Sequence, residues 1–521
     1  MVAGASVATP QQTPVRLHVV PSRAFAWWGA GLALAVFATR WPLRSRYLFS
    51  WDAANFAYAL DRYNVAFHQP HPPGYPLYVA TAWLVRPLFG DANDAFVALS
   101  LVASSAGAVL LLGLAWRLFG PRVAALATAL FVASPNAWGH ADVAYPYALL
   151  ALGATAIAWC AAETRWGRHN CALLGGLVLG VAGGFRPDLL LFLLPAWVYG
   201  ATPRGWRELV GSLVLLSAVV ASWLVPMVAL SGGWAAYWDA TSAYGTFWAT
   251  PTDGGLVSFL LGLKTNLSEL GRYAWRSLGP IWAPILIGTL GWWGWRRGAP
   301  LADGRMRLLL LWLLPPLGFY SMVHVGNLGY LLVVLPAAAM VAANALVRVP
   351  VAIVRSRLLA NTGLGSLLPE GVTGLACLTE VLLFLVVPGP VSLPEIRAVD
   401  ARLQLRLEYL AGLSPDRTLV LAYDRYRQLA YYLPAFDRRQ RIQSVEELLG
   451  PDVRVNNRRE VAVPPGVNRV VLADLGTDRA TRPTGLRRVV LAPDVWMYEA
   501  LVTPGEQVRL GYHYCRIIAA P

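Results

Sequence analysis

The chain is dominated by long apolar runs, which restrict it to folds that form inside a bilayer. A membrane-spanning helix needs about 20 mostly apolar residues, and about eleven runs approach that length. Their approximate limits are 24–40, 96–116, 122–138, 146–162, 171–185, 188–202, 208–230, 280–296, 306–323, 328–347 and 371–388. Hydrophobic residues make up 56% of the 521 residues. The sequence therefore predicts an all-α polytopic membrane protein, in which the first run stays as a span.

Arginines between these runs predict how the chain is oriented in the membrane. The formal net charge is +14, and Lys264 is the single lysine. The run 76–89 is short for a span and carries Arg86, so we interpret it as an interfacial helix. Most basic loops then face one side, as the positive-inside rule requires, and no nucleic-acid partner is predicted. The outer side then holds 41–95, 139–145, 231–279 and the chain after Pro388.

The last part of the chain, 395–521, has a different composition. Charged residues become frequent, and short apolar runs alternate with helix-like stretches. Three of these runs have the length of strands, namely Thr418–Ala422, Arg469–Ala473 and Arg488–Ala492. We therefore predict a membrane domain over 1–394 and a small soluble α/β or α+β domain over 395–521. The four cysteines form no close motif, so neither a disulfide framework nor a cysteine zinc site is expected.

A dense polar stretch, Trp51–Tyr78, follows the first apolar run and is the first candidate site. Its charged residues and histidines are Asp52, Asp61, Arg62, His68 and His71. Charge beside a bilayer is costly unless it is solvated or binds a ligand. The first half of the stretch has the periodicity of a short amphipathic helix. The second half, 69–76, holds four prolines and a glycine, which predict a rigid turn that orients His68, His71 and Tyr75.

Asp52 has two interpretations that the residues alone leave open. It stands just before a helical pattern, where aspartate is a favoured N-cap or a solvated loop residue. A carboxylate at a partly dry membrane surface is also suited to take a proton from a hydroxyl group. The first interpretation is structural, and the second makes Asp52 a general base.

The polar stretch resembles the first outer loop of GT-C type membrane glycosyltransferases, in particular the superfamily of protein O-mannosyltransferases and aminoarabinose transferases. The matching residues are Asp52 in WDAANFAYAL, and His71 and Tyr75 in PHPPGYPLY. In that family an acidic pair follows the first span, whereas Ala53 stands here in place of the second acid. The resemblance implies a GT-C-like core, a polyprenyl-phosphate-linked sugar as donor, and Asp52 as the general base on the outer face.

A second segment of the resemblance is SPNAWGHADVAYPYALL, 134–150. Members of the superfamily often carry another carboxylate in this loop, and in the aminoarabinose branch it directly precedes a Pro-aromatic pair. Tyr145 occupies that place here, and the nearest carboxylate is Asp142. The resemblance implies either that Asp142 is catalytic or that Tyr145 only binds substrate, with His140 beside it. In the alternative interpretation, His140 and Asp142 merely cap the next span at the water boundary.

The segment GGFRPD, Gly183–Asp188, interrupts a long apolar run. A charged pair beside a proline is costly between two spans unless it faces a cavity or water. Arg186 is suited to bind a lipid-linked phosphate through a two-point contact that lysine does not reproduce, with Asp188 beside it. The family resemblance also implies a basic residue here. The alternative is a hairpin tip in which Arg186 pairs with Asp188 or with headgroups.

Three further residues are weaker candidates for binding the donor. His324 and Tyr330 lie at the outer end of a span, and GNLGYLLVVLP resembles a family segment near the donor cavity. In the alternative interpretation, these residues form a polar break at the membrane interface. Lys264, in the long outer loop, is suited to reach a phosphate or a headgroup. The spacing of His68 and His71 can suggest a metal, but prolines surround them and no third ligand is evident, so no metal site is predicted.

The resemblance therefore implies an inverting glycosyltransferase that moves a sugar from a polyprenyl-phosphate donor to an acceptor hydroxyl of a protein, lipid or glycan. The expected location is the bacterial inner or plasma membrane, with the active site and the C-terminus extracytoplasmic. Its expected partners are the lipid-linked donor, the acceptor and membrane lipids, and no other cofactor is predicted. The alternative class is a transporter or lipid-binding scaffold, in which the same charges line a substrate path.

Overall fold

The structure, a computed structural model, describes residues 15–167, 170–248, 255–279, 303–354, 364–445, 448, 459–474, 485–503, 506–511 and 514–518. The chain divides into two compact units. The helical unit contains Met1–Arg44 and Tyr63–Glu395, and the C-terminal unit contains Ser45–Arg62 and Ile396–Pro521. The segment 45–62, which the sequence analysis grouped with the membrane domain, thus belongs to the C-terminal unit.

The described part of the helical unit is mostly helical. Helix α2 stands among these helices in chain order, although it belongs to the C-terminal unit. In chain order they are α1 (Ser22–Arg40), α2 (Trp51–Asp61), α3 (Pro76–Phe89), α4 (Ala92–Phe119), α5 (Pro121–Ala133), α6 (Pro135–Gly139), α7 (Tyr147–Trp166), α8 (Ala172–Phe185), α9 (Asp188–Ala201), α10 (Trp206–Leu230), α11 (Trp234–Trp248), α12 (Gly255–Leu278), α13 (Gly304–Met322), α14 (Leu335–Val354) and α15 (Leu364–Val386). Short 3₁₀ segments lie at Trp41–Leu43, Val65–Phe67, Thr202–Arg204 and Leu328–Val333.

Several of these helices have the length and composition of membrane spans. Four helices in the described part of the chain are long and apolar enough to cross a bilayer: α4, α7, α10 and the segment Leu368–Val386 of α15. Helix α4 has 28 residues and is about 42 Å long. These helices support an integral membrane protein, while the number of eleven spans stays a prediction. The expected span 280–296 lies outside the described residues, and Pro135 divides the expected span 122–138 into α5 and α6.

The starts of the helices follow from local sequence signals. The side chains of Ser50 and Asp91 accept hydrogen bonds from the first turns of α2 and α4, at 3.2 and 3.3 Å. Proline is the first residue of α3 and of α5, where its missing N–H would have no helical partner. Helix α3 has the limits expected for the interfacial helix, and its depth in the membrane stays a prediction.

The C-terminal unit combines helices with two sheets. Its other helices are α16 (Leu393–Ala411), most of which lies in this unit, α17 (Tyr426–Tyr432) and α18 (Pro434–Asp437). Its strands are β1 (Thr418–Ala422), β2 (Ile442–Ser444), β3 (Arg459–Ala462), β4 (Arg469–Leu472), β5 (Arg487–Ala492), β6 (Val495–Leu501), β7 (Gln507–Gly511) and β8 (Tyr514–Ile518). All three runs predicted to be strands are confirmed as β1, β4 and β5.

The strand pairing gives this unit a mixed and an antiparallel sheet. The larger sheet has the order β2-β1-β4-β6-β5, with β1 parallel to β2 and to β4, and antiparallel pairs elsewhere. The smaller sheet, β3-β7-β8, is antiparallel. Leu410, Val420 and Phe436 are among the buried residues of the core, and Tyr47 and Tyr58 pack against it. Those two tyrosines help to explain why the segment 45–62 belongs to this unit.

Candidate active site

Arg186 lies in the turn between α8 and α9, inside the helical unit. A residue that precedes proline avoids the helical region, so Pro187 ends α8 at Phe185. Arg186 is accordingly extended, with φ −154° and ψ 110°. Helix α9 begins directly afterwards at Asp188. The Arg186 side chain is 7% exposed, so a positive charge is held in the interior of the unit.

The guanidinium group of Arg186 has an ionic side and an aromatic side. Its Nε donates to both carboxylate oxygens of Asp188, at 3.0 and 2.9 Å. Its Cζ lies 4.2 Å from the ring centre of Tyr330 and 5.1 Å from that of Tyr147. Burial lowers the pKa of the guanidinium, but Asp188 and three nearby tyrosine hydroxyls raise it by more, so the net pKa is above its usual value. Arg186 is therefore a permanent cation.

One nitrogen of this guanidinium is left without a partner among the described residues. Nη1 of Arg186 is buried and donates to no atom there. A buried donor without an acceptor costs about 1–3 kcal/mol, so the position favours a polar or anionic ligand. The ion pair between Arg186 and Asp188 that the hairpin interpretation expects is present. Nη1 remains available to donate to a phosphate oxygen.

The first residue of α7, Tyr147, and the loop in front of it supply aromatic rings next to the Arg186 guanidinium. The ring centre of Tyr147 lies 5.0 Å from that of Tyr145 and 5.1 Å from that of His140. The two ring nitrogens of His140 lie 3.1 Å from the Asn136 carbonyl and 3.3 Å from Oδ1 of Asn327. Burial lowers the pKa of His140 to about 4. His140 is thus uncharged at neutral pH and acts as a hydrogen-bonding group, not as a cation for phosphate.

The lowered pKa of His140 predicts a loss of stability in acid. An unfolded histidine has a pKa of about 6.5, so below that pH the unfolded state binds more protons and stability falls until about pH 4. The expected contribution is roughly 3 kcal/mol, at about 1.4 kcal/mol per pKa unit. His140→Asn should remove this part of the pH dependence of thermal unfolding. His18→Asn, at an exposed position, is the control, and an unchanged pH dependence in His140→Asn would contradict the assignment.

The 3₁₀ segment Leu328–Val333 brings Tyr330 to Arg186. Asn327 starts this segment, and its Oδ1 accepts from the Gly329 N–H at 2.8 Å. A Cβ on Gly329 would overlap the ring of Tyr147, so only glycine fits there. The ring of Tyr330 also stacks on that of Tyr320, with ring centres 5.5 Å apart. Tight packing therefore fixes the aromatic side of the cation.

The proline turn holds His71 and Tyr75 in fixed positions. Gly74 has a φ of 115°, and its N–H donates to the His71 carbonyl at 3.1 Å. The Tyr63 hydroxyl donates to the Gly74 carbonyl at 2.6 Å. The rings of His71 and Tyr75 are 5.1 Å apart, and the Tyr75 hydroxyl is one of those that raise the pKa of the guanidinium described above. The predicted turn is thus present, and its Tyr75 interacts electrostatically with Arg186.

Asp142 is fully enclosed in the helical unit and interacts electrostatically with Arg40. Arg40 is itself buried, donates to the Val132 carbonyl at 2.8 Å and lies 5.1 Å from the ring centre of Trp138. A buried arginine requires a compensating carboxylate. These contacts favour Asp142 as a counter-ion of Arg40, and its catalytic role stays a prediction.

Asp52 lies in the first turn of α2, in the C-terminal unit. The N-cap of this helix is Ser50, whose Oγ accepts from the Ala53 N–H at 3.2 Å. The interpretation of Asp52 as the N-cap is therefore wrong. Its side chain is partly exposed at the positive end of the helix dipole, which stabilises a carboxylate. Arg62 directly follows the helix and is exposed.

The remaining candidates lie at the margin of this cluster or apart from it. The ring centre of His324 is 6.5 Å from that of Tyr330, and burial lowers the pKa of His324. His68 ends the segment Val65–Phe67 in a left-handed conformation, with φ 55°. Lys264 is exposed on α12, and no described contact joins it to Arg186. In the described ranges, no three His, Cys, Asp or Glu side chains come together as a metal site.

An apolar cavity of about 430 Å³ lies elsewhere in the helical unit. Residues of α12, α13 and α14 line it, among them Leu270, Leu317 and Ala338. Leu331 also lines it, and this residue directly follows Tyr330 in the chain. The cavity and the Arg186 cluster therefore share the segment Leu328–Val333. The lining suits an aliphatic chain.

Comparison with known proteins identifies the fold. No protein-family model and no curated protein matches the chain in sequence. ArnT from Cupriavidus metallidurans, in a crystal structure with bound undecaprenyl phosphate, matches with a TM-score of 0.55 and 14% identity, over 92% of this chain and 98% of that chain. The chain has the GT-C fold of ArnT. The apo structure of ArnT matches with a TM-score of 0.53, at the same identity and coverage.

A more distant solved structure is that of the archaeal oligosaccharyltransferase AglB from Archaeoglobus fulgidus, in complex with an inhibitory peptide and a dolichol-phosphate. It has a TM-score of 0.45 and 13% identity, over 86% of this chain and 69% of that chain.

Within the ArnT fold, the structure gathers part of the predicted site and adds residues that sequence reasoning missed. His140, Tyr145, Arg186, Asp188 and Tyr330 form one connected cluster. Tyr147 and Tyr320 were missed as site residues, together with Arg40. Tyr147 had a usable signal, since it follows Pro146 in the segment that resembles the family, whereas Arg40 and Tyr320 stand at the ends of apolar runs and have no such mark.

Proposed function

We propose that this protein is an inverting glycosyltransferase that takes a sugar from a polyprenyl-phosphate-linked donor. The observation that carries the proposal is Arg186, a buried cation with aromatic rings on one side and a buried donor atom that lacks a partner among the described residues. The fold of ArnT supports the donor class, because one ArnT structure holds undecaprenyl phosphate. The acceptor is a hydroxyl group of a protein, lipid or glycan.

In this proposal Arg186 binds the donor phosphate, while Asp188 keeps the guanidinium oriented through Nε. The rings of Tyr147 and Tyr330 hold the other side of the cation and exclude water from it. Exclusion of water strengthens the attraction between the guanidinium and the phosphate. Part of the polyprenyl tail occupies the apolar cavity beside Leu331, whose lining suits an aliphatic chain.

The proposed reaction is a single displacement at the anomeric carbon. The acceptor oxygen forms a bond to that carbon, the bond to the phosphate oxygen breaks, and its electron pair leaves with the polyprenyl phosphate. Negative charge grows on the phosphate, where Arg186 stabilises it. The proton of the acceptor hydroxyl goes to Asp52, a partly exposed carboxylate in the first turn of α2. Attack opposite to the leaving group inverts the anomeric centre.

The proposed location of this reaction is the extracytoplasmic face. It rests on the distribution of arginines between the apolar runs and on the interfacial position of 76–89. Tags placed in the 41–95 loop and after Pro521 should both be accessible from outside the cell. A tag after Pro521 that only cytoplasmic reagents reach would contradict this orientation.

Binding of the lipid carrier tests the donor class. The purified full-length protein is expected to bind undecaprenyl phosphate in native mass spectrometry, in preference to a phosphatidylglycerol of similar apolar mass. Equal retention of both lipids would indicate adsorption to an apolar surface and would contradict a phosphate-specific site.

A further inference from the structure

The C-terminal unit holds the loop in front of α2 through side chains that come from far along the sequence. The carboxylate of Asp400 accepts from the N–H groups of Arg46 and Tyr47, at 2.9 and 3.3 Å. The Tyr432 hydroxyl accepts from the Leu48 N–H at 2.9 Å. Arg425 donates through Nη1 to the Phe49 carbonyl at 2.9 Å, so four consecutive residues each have a backbone group bound to a side chain.

Burial decides which of these hydrogen bonds is the most costly to lose. Leu48 has no exposed surface, Tyr47 and Phe49 are partly exposed, and Arg46 is exposed. A buried backbone group without a partner costs about as much as a lost hydrogen bond, so the Leu48 N–H depends most strongly on its acceptor, the Tyr432 hydroxyl. The loop is followed by Ser50, the N-cap of α2, and Asp52 lies in the first turn. The hydrogen bonds therefore fix the start of the helix that carries Asp52.

Aromatic side chains of α2 also pack against other residues of the C-terminal unit. The ring of Tyr58 lies edge-on to that of Tyr431, with centres 5.5 Å apart. Cζ of Arg427 lies 5.9 Å from the ring centres of Trp51 and of Tyr58. Trp51 and Tyr58 are seven residues apart and so share one face of the helix. The attachment therefore spans the first and the last turn of α2.

We infer that the C-terminal unit positions the proposed catalytic base, with Asp400 and Tyr432 as its positioning residues. This rests on the proposed function, in which Asp52 takes the proton of the acceptor. A general base works only within hydrogen-bond reach of that proton, and a displacement of about 1 Å can cost a hundredfold in rate. A short loop held by side chains places the carboxylate more reproducibly than a solvated loop does.

Two variants that each remove one tyrosine hydroxyl distinguish a positioning role from a general effect on stability. Tyr432→Phe removes the acceptor of the Leu48 N–H. Tyr409→Phe removes a hydroxyl that donates to Glu499 at 2.6 Å, in the same unit but at the sheet. The full-length proteins are compared for release of free polyprenyl phosphate from a membrane lipid extract, and for affinity to undecaprenyl phosphate. Tyr432→Phe is expected to lower turnover by about tenfold or more with unchanged affinity, whereas Tyr409→Phe retains turnover.

Two substitutions of Asp400 remove its hydrogen bonds in part or completely. Asp400→Asn keeps one oxygen that can accept from a single N–H, so turnover should lie between that of the parent protein and that of Asp400→Ala. If one of the Asp400 variants does not fold, which thermal unfolding of the purified protein reveals, Tyr432→Phe decides alone. Equal turnover of Tyr432→Phe and Tyr409→Phe, alongside a loss in Asp52→Asn, would overturn the positioning inference only. Full turnover of Asp52→Asn would overturn the assigned base and the inference together.

Discussion

Asp52→Asn is expected to lower turnover by roughly 10²–10⁴ while affinity for undecaprenyl phosphate stays unchanged. Asparagine keeps the size and the hydrogen-bonding capacity of the side chain but does not accept a proton from a hydroxyl group. The substitution preserves the helix start, because Ser50 and not Asp52 caps α2. The measurement is release of free polyprenyl phosphate from a lipid-linked sugar donor, at saturating donor.

Asp61→Asn is the matched control for this prediction. Asp61 is the last residue of the same helix and is exposed, so its substitution makes the same chemical change where no proton transfer is assigned. It should retain the turnover of the parent protein. Near-normal turnover of Asp52→Asn would transfer the role of base to another group, and Asp142 would then be tested in spite of its burial.

Arg186→Lys is expected to weaken binding of undecaprenyl phosphate by about ten- to a hundredfold. Lysine keeps the charge but loses the planar donor fork, and one charged hydrogen bond contributes about 1.5–3 kcal/mol. Lysine also loses the stacked contact that the guanidinium makes with Tyr330. The measurement is a lipid titration of the folded variant followed by native mass spectrometry.

Two controls separate phosphate binding from a structural ion pair. Arg165 also lies over a tyrosine, 3.9 Å from the ring centre of Tyr199, and donates to the carbonyl of that residue at 2.7 Å. Arg165→Lys should therefore leave lipid affinity unchanged. The double variant that exchanges Arg186 and Asp188 keeps a salt bridge but misplaces the cation. Its thermal stability should therefore be close to that of the parent protein, whereas its affinity for the lipid should be lost. Unchanged affinity in both Arg186→Lys and the exchanged pair would end the phosphate assignment.

Local chemistry explains which parts of the site could be predicted from the sequence. The turn at Arg186 follows from Pro187, and the turn at His71 follows from a cluster of prolines and Gly74, because these residues restrict their own backbone. The helix α2 was expected from its periodicity, and its buried residues Phe56 and Leu60 agree with that pattern. Signals carried by neighbouring residues were thus sufficient for the elements that hold the candidate residues.

Contacts between distant residues explain what could not be predicted. The sequence predicts Asp142 as a catalytic or capping residue, but its enclosure and its electrostatic partner Arg40 depend on helices that meet only in the folded protein. The segment 45–62 was assigned to the membrane domain by position. Its attachment to the C-terminal unit depends on Asp400 and Tyr432, more than 350 residues later in the chain. No periodicity or local composition encodes such pairings.

Discharge of a lipid-linked sugar tests the central claim most directly. The purified full-length protein is mixed with lipids extracted from the membrane of its source and with membrane acceptors, and the polyprenyl-phosphate pool is followed by mass spectrometry. The account predicts that polyprenyl-phosphate-linked sugar disappears and free polyprenyl phosphate forms in equal amount, at a rate that Asp52→Asn and Arg186→Lys both reduce. A donor pool that stays unchanged with the folded parent protein, or that falls as fast with both variants as with the parent protein, would contradict it.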